Sequence, residues 1–275
     1  MHTVRVKLPF RGAPDAPLDP SLVAPMSTPA RPELTGGRRI GVLVQHGFTG
    51  SPASMRPWAE DLAARGYAVE MPLLPGHGTR WRDMNKVTWA DWTATVEGAF
   101  DKLAAENDAV VAVGLSMGGA LSLRLAADRG EELAGVVVVN LAIDTLRKDA
   151  VLLPVLKRIV PAFPGISNDI KKPGVDEVAY PVIPLKAAAS MSAGWVELRR
   201  DLPKITIPVL FFRSAEDHVA DISSSRALNA GLSSKDFEER VLEDSYHVAC
   251  LDNDAPRIFA ESAEFIERVT RPRQD

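Results

Sequence analysis

Between Arg39 and Asn140 the chain repeats one unit: a short, almost wholly apolar run, a loop, then an amphipathic stretch of helical period. The apolar runs are "RIGVLVQHG", "YAVEMP", "AVVAVG" and "LAGVVVVN". They are rich in β-branched residues and do not alternate with polar ones, as expected of strands covered on both faces. Helical stretches lie between them. "SMRPWAEDLAARG" spaces Met55, Trp58, Leu62 and Ala63 along one face, with Gly66 where a helix C′ residue belongs. "TWADWTATVEGAFDKLAAEN" carries Thr88 as a candidate N-cap, and "MGGALSLRLAADRG" follows the third apolar run. This order predicts an α/β fold with a mostly parallel central sheet flanked by helices, joined by right-handed crossovers. The 275 residues suffice for one large domain with an insertion, or for two small ones.

The rhythm breaks after Asn140. Residues 141–203 hold helical patches but no convincing strand. "AVLLPVLKRIVPAF" sets Val151, Leu152, Val155, Leu156, Ile159, Val160 and Phe163 on one broad stripe, and "LKAAASMSAGWVELRRDL" is helical again. The sheet pattern resumes at "IPVLFFRS" and closes with "FEERVLED" and the helix "APRIFAESAEFIERV". The expected organisation is a Pro-rich extension over 1–38, extended along the surface, a core over 39–140 and 204–275, and a helical cap insertion over 141–203.

The chemistry centres on Gly114-Leu115-Ser116-Met117-Gly118, a G-x-S-x-G pattern between an expected strand and an expected helix. A turn that sharp strains the serine backbone and lifts its hydroxyl to the helix N-terminus. Serine is a weak nucleophile and needs an imidazole oriented by a carboxylate. Five histidines are available: His2, His46, His77, His218 and His247. Carboxylates that follow strands are Asp144, Glu216, Asp217 and Asp221. An oxyanion would need two backbone N–H groups; Met117, after the serine, is one donor, and Phe48 in "HGFTGSP" is the natural second.

These stretches resemble the α/β-hydrolase superfamily, and more narrowly bacterial monoacylglycerol lipases and related small carboxylesterases. The matching segments are "HGFTGSPASMRP", "LPGHGTRWRDM", "TWADW", "GLSMGG", "SNDIKKPGVDEVAY", "EDHV" and "SYHVACLD". The family order of nucleophile, acid, base selects His247 as base. Asp217 is then the acid, because its loop must turn the carboxylate back toward His247, with Asp221 and Asp144 as competitors. The resemblance thus implies a Ser116, Asp217, His247 triad with Phe48 and Met117 as oxyanion donors. One departure is "ADISSS" after "EDHV", where the family tends to carry proline.

The substrate must be read from the cap. Among its acids Asp169, Asp176 and Glu177, the resemblance favours Glu177 as partner for glycerol hydroxyls. Asn140 and Ile166 are further substrate-binding candidates, and the Val151–Ile159 stripe is a candidate tunnel lining or lipid-surface contact. The expected function is hydrolysis of carboxylic esters through an acyl-enzyme, with no cofactor or metal, by a monomer or dimer. A net charge of −4 argues against a nucleic-acid partner. The lone Cys250 and the absence of a long apolar N-terminal run predict a cytoplasmic protein.

Overall fold

A computed structural model of the chain describes residues 15–148 and 152–272. Nine strands and eight helices are described, in the order β1 (Met26–Thr28), β2 (Ile40–Gln45), α1 (Arg56–Ala64), β3 (Ala68–Met71), α2 (Trp81–Met84), α3 (Trp89–Glu106), β4 (Ala109–Leu115), α4 (Met117–Arg129) and β5 (Gly135–Val139). Then come α5 (Leu153–Leu156), β6 (Ala162–Pro164), β7 (Val182–Pro184), α6 (Leu185–Asp201), β8 (Val209–Ser214), α7 (Ile222–Gly231), β9 (Phe237–Leu242) and α8 (Ala255–Val269). Seven strands make one sheet in the order β1-β3-β2-β4-β5-β8-β9, parallel except for β1.

The unalternating apolar runs become the central strands β2, β4 and β5, and their side chains divide by the period of two. Leu43, Ala112, Val136 and Val138 face one side, against Phe100, Leu121 and Trp195. Val42, Val44, Val111, Val113 and Val137 face the other, against Trp58, Leu62, Ile258 and Phe265. Helices α3, α4 and α6 cover the first face; α1 and α8 cover the second. At the start of α3 the Thr88 N–H donates to the Asp91 carboxylate at 2.7 Å, the reciprocal bond of a capping box.

Three segments depart from the sequence reading. In the Pro-rich extension, β1 pairs antiparallel with β3 through Met26↔Met71 and Thr28↔Val69. The proline-free "MST" suffices to cover the open edge of β3. In the cap, β6 and β7 form a two-stranded antiparallel pair; three residues each, ending in proline, are too short to show a period. The expected apolar stripe yields the one-turn α5, with Pro154 in its first turn and Pro161 shortly after its end, and Phe163 in β6; its Val151 lies outside the described residues.

Helix α6 is both cap and core. Its Ala187, Met191, Trp195 and Leu198 join the core cluster beside α3 and α4. The rest of the cap is held down by hydrogen bonds. The Tyr180 hydroxyl accepts from Thr79 N–H at 2.9 Å and donates to the Gly76 carbonyl at 3.0 Å, and Tyr180 N–H donates to the Thr49 carbonyl. The cap therefore sits on the loops that follow β2 and β3. Among the described residues, no helix is long and apolar enough to cross a membrane.

Candidate active site

Ser116 occupies the single residue between β4 and α4. Its backbone takes φ 57° and ψ −117°, a conformation costly for any residue with a Cβ, by roughly 1–3 kcal/mol. Two bonds hold it there: Ser116 N–H donates to the Val139 carbonyl at 2.9 Å, and its own carbonyl accepts from Ala120. The flanking glycines are required by close approach. A Cβ on Gly114 would lie 2.3 Å from the Gly118 backbone, and one on Gly118 would lie 2.3 Å from the Gln45 carbonyl oxygen. Helix α4 thus presses its first turn against both β4 and the end of β2. Met117, the first residue of α4, buries its side chain in the core while its N–H belongs to the unpaired first turn.

His247 lies in the loop between β9 and α8, and Asp217 in the loop after β8. His247 Nδ1 donates to Asp217 Oδ2 at 2.8 Å, with both side chains buried. Asp217 Oδ1 accepts the N–H groups of Val219 and Ala220, each at 2.8 Å. Burial opposes ionisation of Asp217, but the His247 charge and these bonds outweigh it, so its pKa is lowered. For His247, burial disfavours the imidazolium; the charge and hydrogen bond of Asp217, with the charges of Glu177 and Asp169, more than offset this, and its pKa is raised. The competing acids are engaged elsewhere. Asp221 caps α7 through Ser223 N–H, and Asp144 faces Arg199.

Ser116 and His247 open into one cavity of about 270 Å³, just below the usual range for small-molecule sites. Its floor includes Gly47, Phe48 and Leu115. Its cap wall is mixed: apolar Ile166, Ile183, Met191 and Trp195, and the carboxylates Asp169 and Glu177. Phe48, after β2, rests edge-on against Trp92 at 5.9 Å and His77 at 6.5 Å. His46 underlies this loop. Its Nε2 accepts Leu74 N–H at 3.2 Å, its Nδ1 faces the Gly47 carbonyl, and burial pulls its pKa down to about 4. It is a neutral fixture beneath the loop.

Glu177 reaches the cavity from the segment between β6 and β7. Its Oε1 accepts Asn168 N–H at 2.6 Å while Asn168 Oδ1 accepts Glu177 N–H at 2.8 Å. Burial pushes the Glu177 carboxyl up. Ile166 stands at the rim, half-exposed. Two expectations need correction. Asn140 does not line the cavity that holds Ser116 and His247: its carboxamide donates to Ser214 Oγ and to the Tyr246 and His247 carbonyls, and accepts Ser214 N–H. Every polar atom of that side chain is used to bind the acid-bearing and histidine-bearing loops together. The stripe residues Leu152, Val155 and Ile159 do not line the cavity either; they are 56%, 57% and 67% exposed. His218, which the sequence singles out only as a neighbour of Asp217, does line the cavity and pairs with Asp169 at 2.7 Å. No local signal marks that pair, because its members lie 49 positions apart.

The site can therefore present a strained serine, a buried imidazole–carboxylate pair and a helix N-terminus at one mixed cavity. Comparison with known proteins gives the family of the chain. Residues 37–254 match the Hydrolase_4 family model, described as serine aminopeptidase, S33. The chain is 37% identical over 244 residues to a thermostable monoacylglycerol lipase of Bacillus sp. (strain H-257), covering 89% of this chain and 97% of the relative. It is 26% identical over 246 residues to a carboxylesterase of Bacillus subtilis (strain 168), covering 88% and 98%. A solved structure from work on LipS and LipT, two metagenome-derived lipolytic enzymes, superposes with a TM-score of 0.84 at 39% identity, covering 90% of this chain and 98% of that one. The mostly parallel sheet with flanking helices is that of the α/β-hydrolases.

Proposed function

The chain belongs to the Hydrolase_4 family of α/β-hydrolases, and on that premise we propose that it is a serine esterase acting on monoacylglycerols. The observation that carries this reading is one cavity holding Ser116, His247, apolar cap walls and the cap carboxylate Glu177. The apolar walls suit an acyl chain. Glu177 suits the hydroxyl donors of a glycerol head, since an ionised carboxylate only accepts.

In this reading the reaction runs as follows. His247 Nδ1–H is committed to Asp217, which leaves Nε2 unprotonated and able to take the Ser116 proton. Oγ attacks the ester carbonyl, and the oxygen that gains charge is held by the Phe48 and Met117 N–H groups. The C–O bond to the alcohol breaks, and His247 returns the proton to the leaving alkoxide oxygen. Water then gives a proton to His247 and its hydroxyl to the acyl carbon; the bond from that carbon to Oγ breaks, His247 passes the proton to Oγ, and the acid leaves with Ser116 restored.

Leu152, Val155 and Ile159, exposed on the cap, are in this reading the contact with lipid surfaces. The unpaired, buried Cys250 favours a reducing cytoplasm.

The test is a hydrolysis panel of monoacylglycerols of several chain lengths, diacylglycerols, triacylglycerols and simple alkyl esters, run on the wild type and on Glu177→Gln. The expected result is a preference for monoacylglycerols that Glu177→Gln reduces through KM. A preference for simple alkyl esters, unaffected by Glu177→Gln, would leave a general carboxylesterase. Ser116→Ala should lose roughly 10⁴–10⁶ in kcat.

A further inference from the structure

Asp169 comes from the cap yet spends both carboxylate oxygens on the two loops that carry the acid and the base. Oδ2 accepts the backbone N–H of His247 at 3.1 Å and that of His218 at 3.2 Å. Oδ1 meets His218 Nδ1 at 2.7 Å. The Asp169 carbonyl accepts Val248 N–H at 3.0 Å, so two consecutive residues of the histidine loop are bound to one cap residue. The side chain is buried at the cavity wall. The next residues extend the clamp: Asp252, after the histidine, accepts Lys171 N–H and Tyr246 N–H on Oδ2 and Lys172 N–H on Oδ1. On the other side Asn168 is locked to Glu177 by their reciprocal pair of bonds.

We infer that Asp169 is a positioning residue for the catalytic base, through which the cap sets the register at which His247 meets Asp217. The inference rests on reading Ser116, His247 and Asp217 as a hydrolytic triad. In that role the cap is part of the catalytic apparatus as well as a wall of the binding cavity. An aspartate is needed because all the groups it meets are donors. An asparagine would lose the charge and would either turn its NH₂ toward the two backbone N–H groups or require His218 Nδ1 to become an acceptor. Three carboxylates act on the His247 ring: Asp217 from the β8 loop, and Glu177 and Asp169 from the cap. His218, with Glu216 near its Nε2, is the partner of Asp169 on the far side.

The test compares Asp169→Asn, His218→Asn and the double variant with wild type on a short soluble ester. Asp169→Asn should lower kcat by about 30- to 100-fold while KM changes less than about threefold, as expected when a reacting group is misplaced and binding is retained. Its acidic limb of kcat/KM should move to lower pH, because a negative charge that favours the imidazolium is gone. His218→Asn should lower kcat by several-fold, and the double variant should be no worse than Asp169→Asn, since both act through one link. An Asp169→Asn variant with kcat within threefold of wild type and an unmoved acidic limb overturns the inference. If Asp169→Asn does not fold, His218→Asn decides: a kcat equal to wild type overturns it. Organophosphate labelling of the wild type separates the two possible failures. No label on Ser116 overturns the triad itself, whereas a label with an unimpaired Asp169→Asn overturns only the role of Asp169.

Discussion

Replacing Asn140 by alanine tests the linkage between the sheet and the histidine loop. Asn140 directly follows β5 with φ 45°, and its side chain is buried. In the variant Ser214 N–H loses its acceptor at 2.7 Å, and the His247 carbonyl loses its amide donor at 2.8 Å. The Tyr246 carbonyl keeps a donor, because Ser214 Oγ also reaches it at 2.8 Å. Two buried groups are therefore left unpaired, each at a cost of about 1–3 kcal/mol. Alanine at a left-handed position adds about 1 kcal/mol. The expected destabilisation is about 3–7 kcal/mol, which at about 2 °C per kcal/mol for a chain of this size lowers Tm by roughly 6–14 °C. Scanning calorimetry and urea unfolding followed by tryptophan fluorescence would measure it. Asn140→Gly separates the two contributions: it loses the same hydrogen bonds but takes the positive φ freely, so it should recover about 1 kcal/mol. Because His247 is no longer held from below, kcat on a soluble ester should fall by up to about 10²-fold. A Tm loss below 3 °C would refute the account of the amide, and a glycine variant less stable than alanine would refute the account of the backbone.

Three further outcomes are expected. The proposed base, His247, would work only when unprotonated, and its pKa is raised, so kcat/KM should fall as pH drops through a value above the ordinary imidazole value of about 6.5; a limb below that value in a pH–rate profile would contradict the electrostatics. His46 is buried neutral with its pKa pulled down to about 4, so its contribution to stability is whole above about 6.5 and is lost as pH falls toward 4, by roughly 3 kcal/mol. Urea unfolding across that range should show the loss, and His46→Gln should reduce the slope, the buried His77 supplying the rest; an unchanged slope would remove His46 as a source. Replacing Leu152, Val155 and Ile159 together by serine should slow hydrolysis of monoacylglycerol in vesicles and leave a soluble short ester unaffected, since these side chains together contribute roughly 2–4 kcal/mol on entering lipid. Equal vesicle activity would place the lipid contact elsewhere.

What the sequence determined by itself was the local part. A strand buried on both faces has to be apolar throughout, so "AVVAVG" and "GVVVV" declared the central strands, and Thr88 and Gly66 declared helix ends. The serine turn was equally legible, because Gly114 and Gly118 are demanded by contacts within a few residues and with the neighbouring strand. Resemblance supplied the order of acid and base. The cap was legible only as an interruption. Its three-residue strands and one-turn helix are too short to carry a period, and its apolar stripe reads alike whether it faces a tunnel or water. Asn140 and Asp169 were visible as polar residues at a strand end and in the cap, but their partners are not. Asn140 reaches the His247 carbonyl across 107 positions, and Asp169 reaches the His247 N–H across 78. Hydrogen bonds over such separations leave no pattern in the histidine loop, since the partner there is a backbone group that every residue carries. Only the folded chain decides which carboxylate meets which N–H, and so whether a cap acid faces the substrate or holds the histidine.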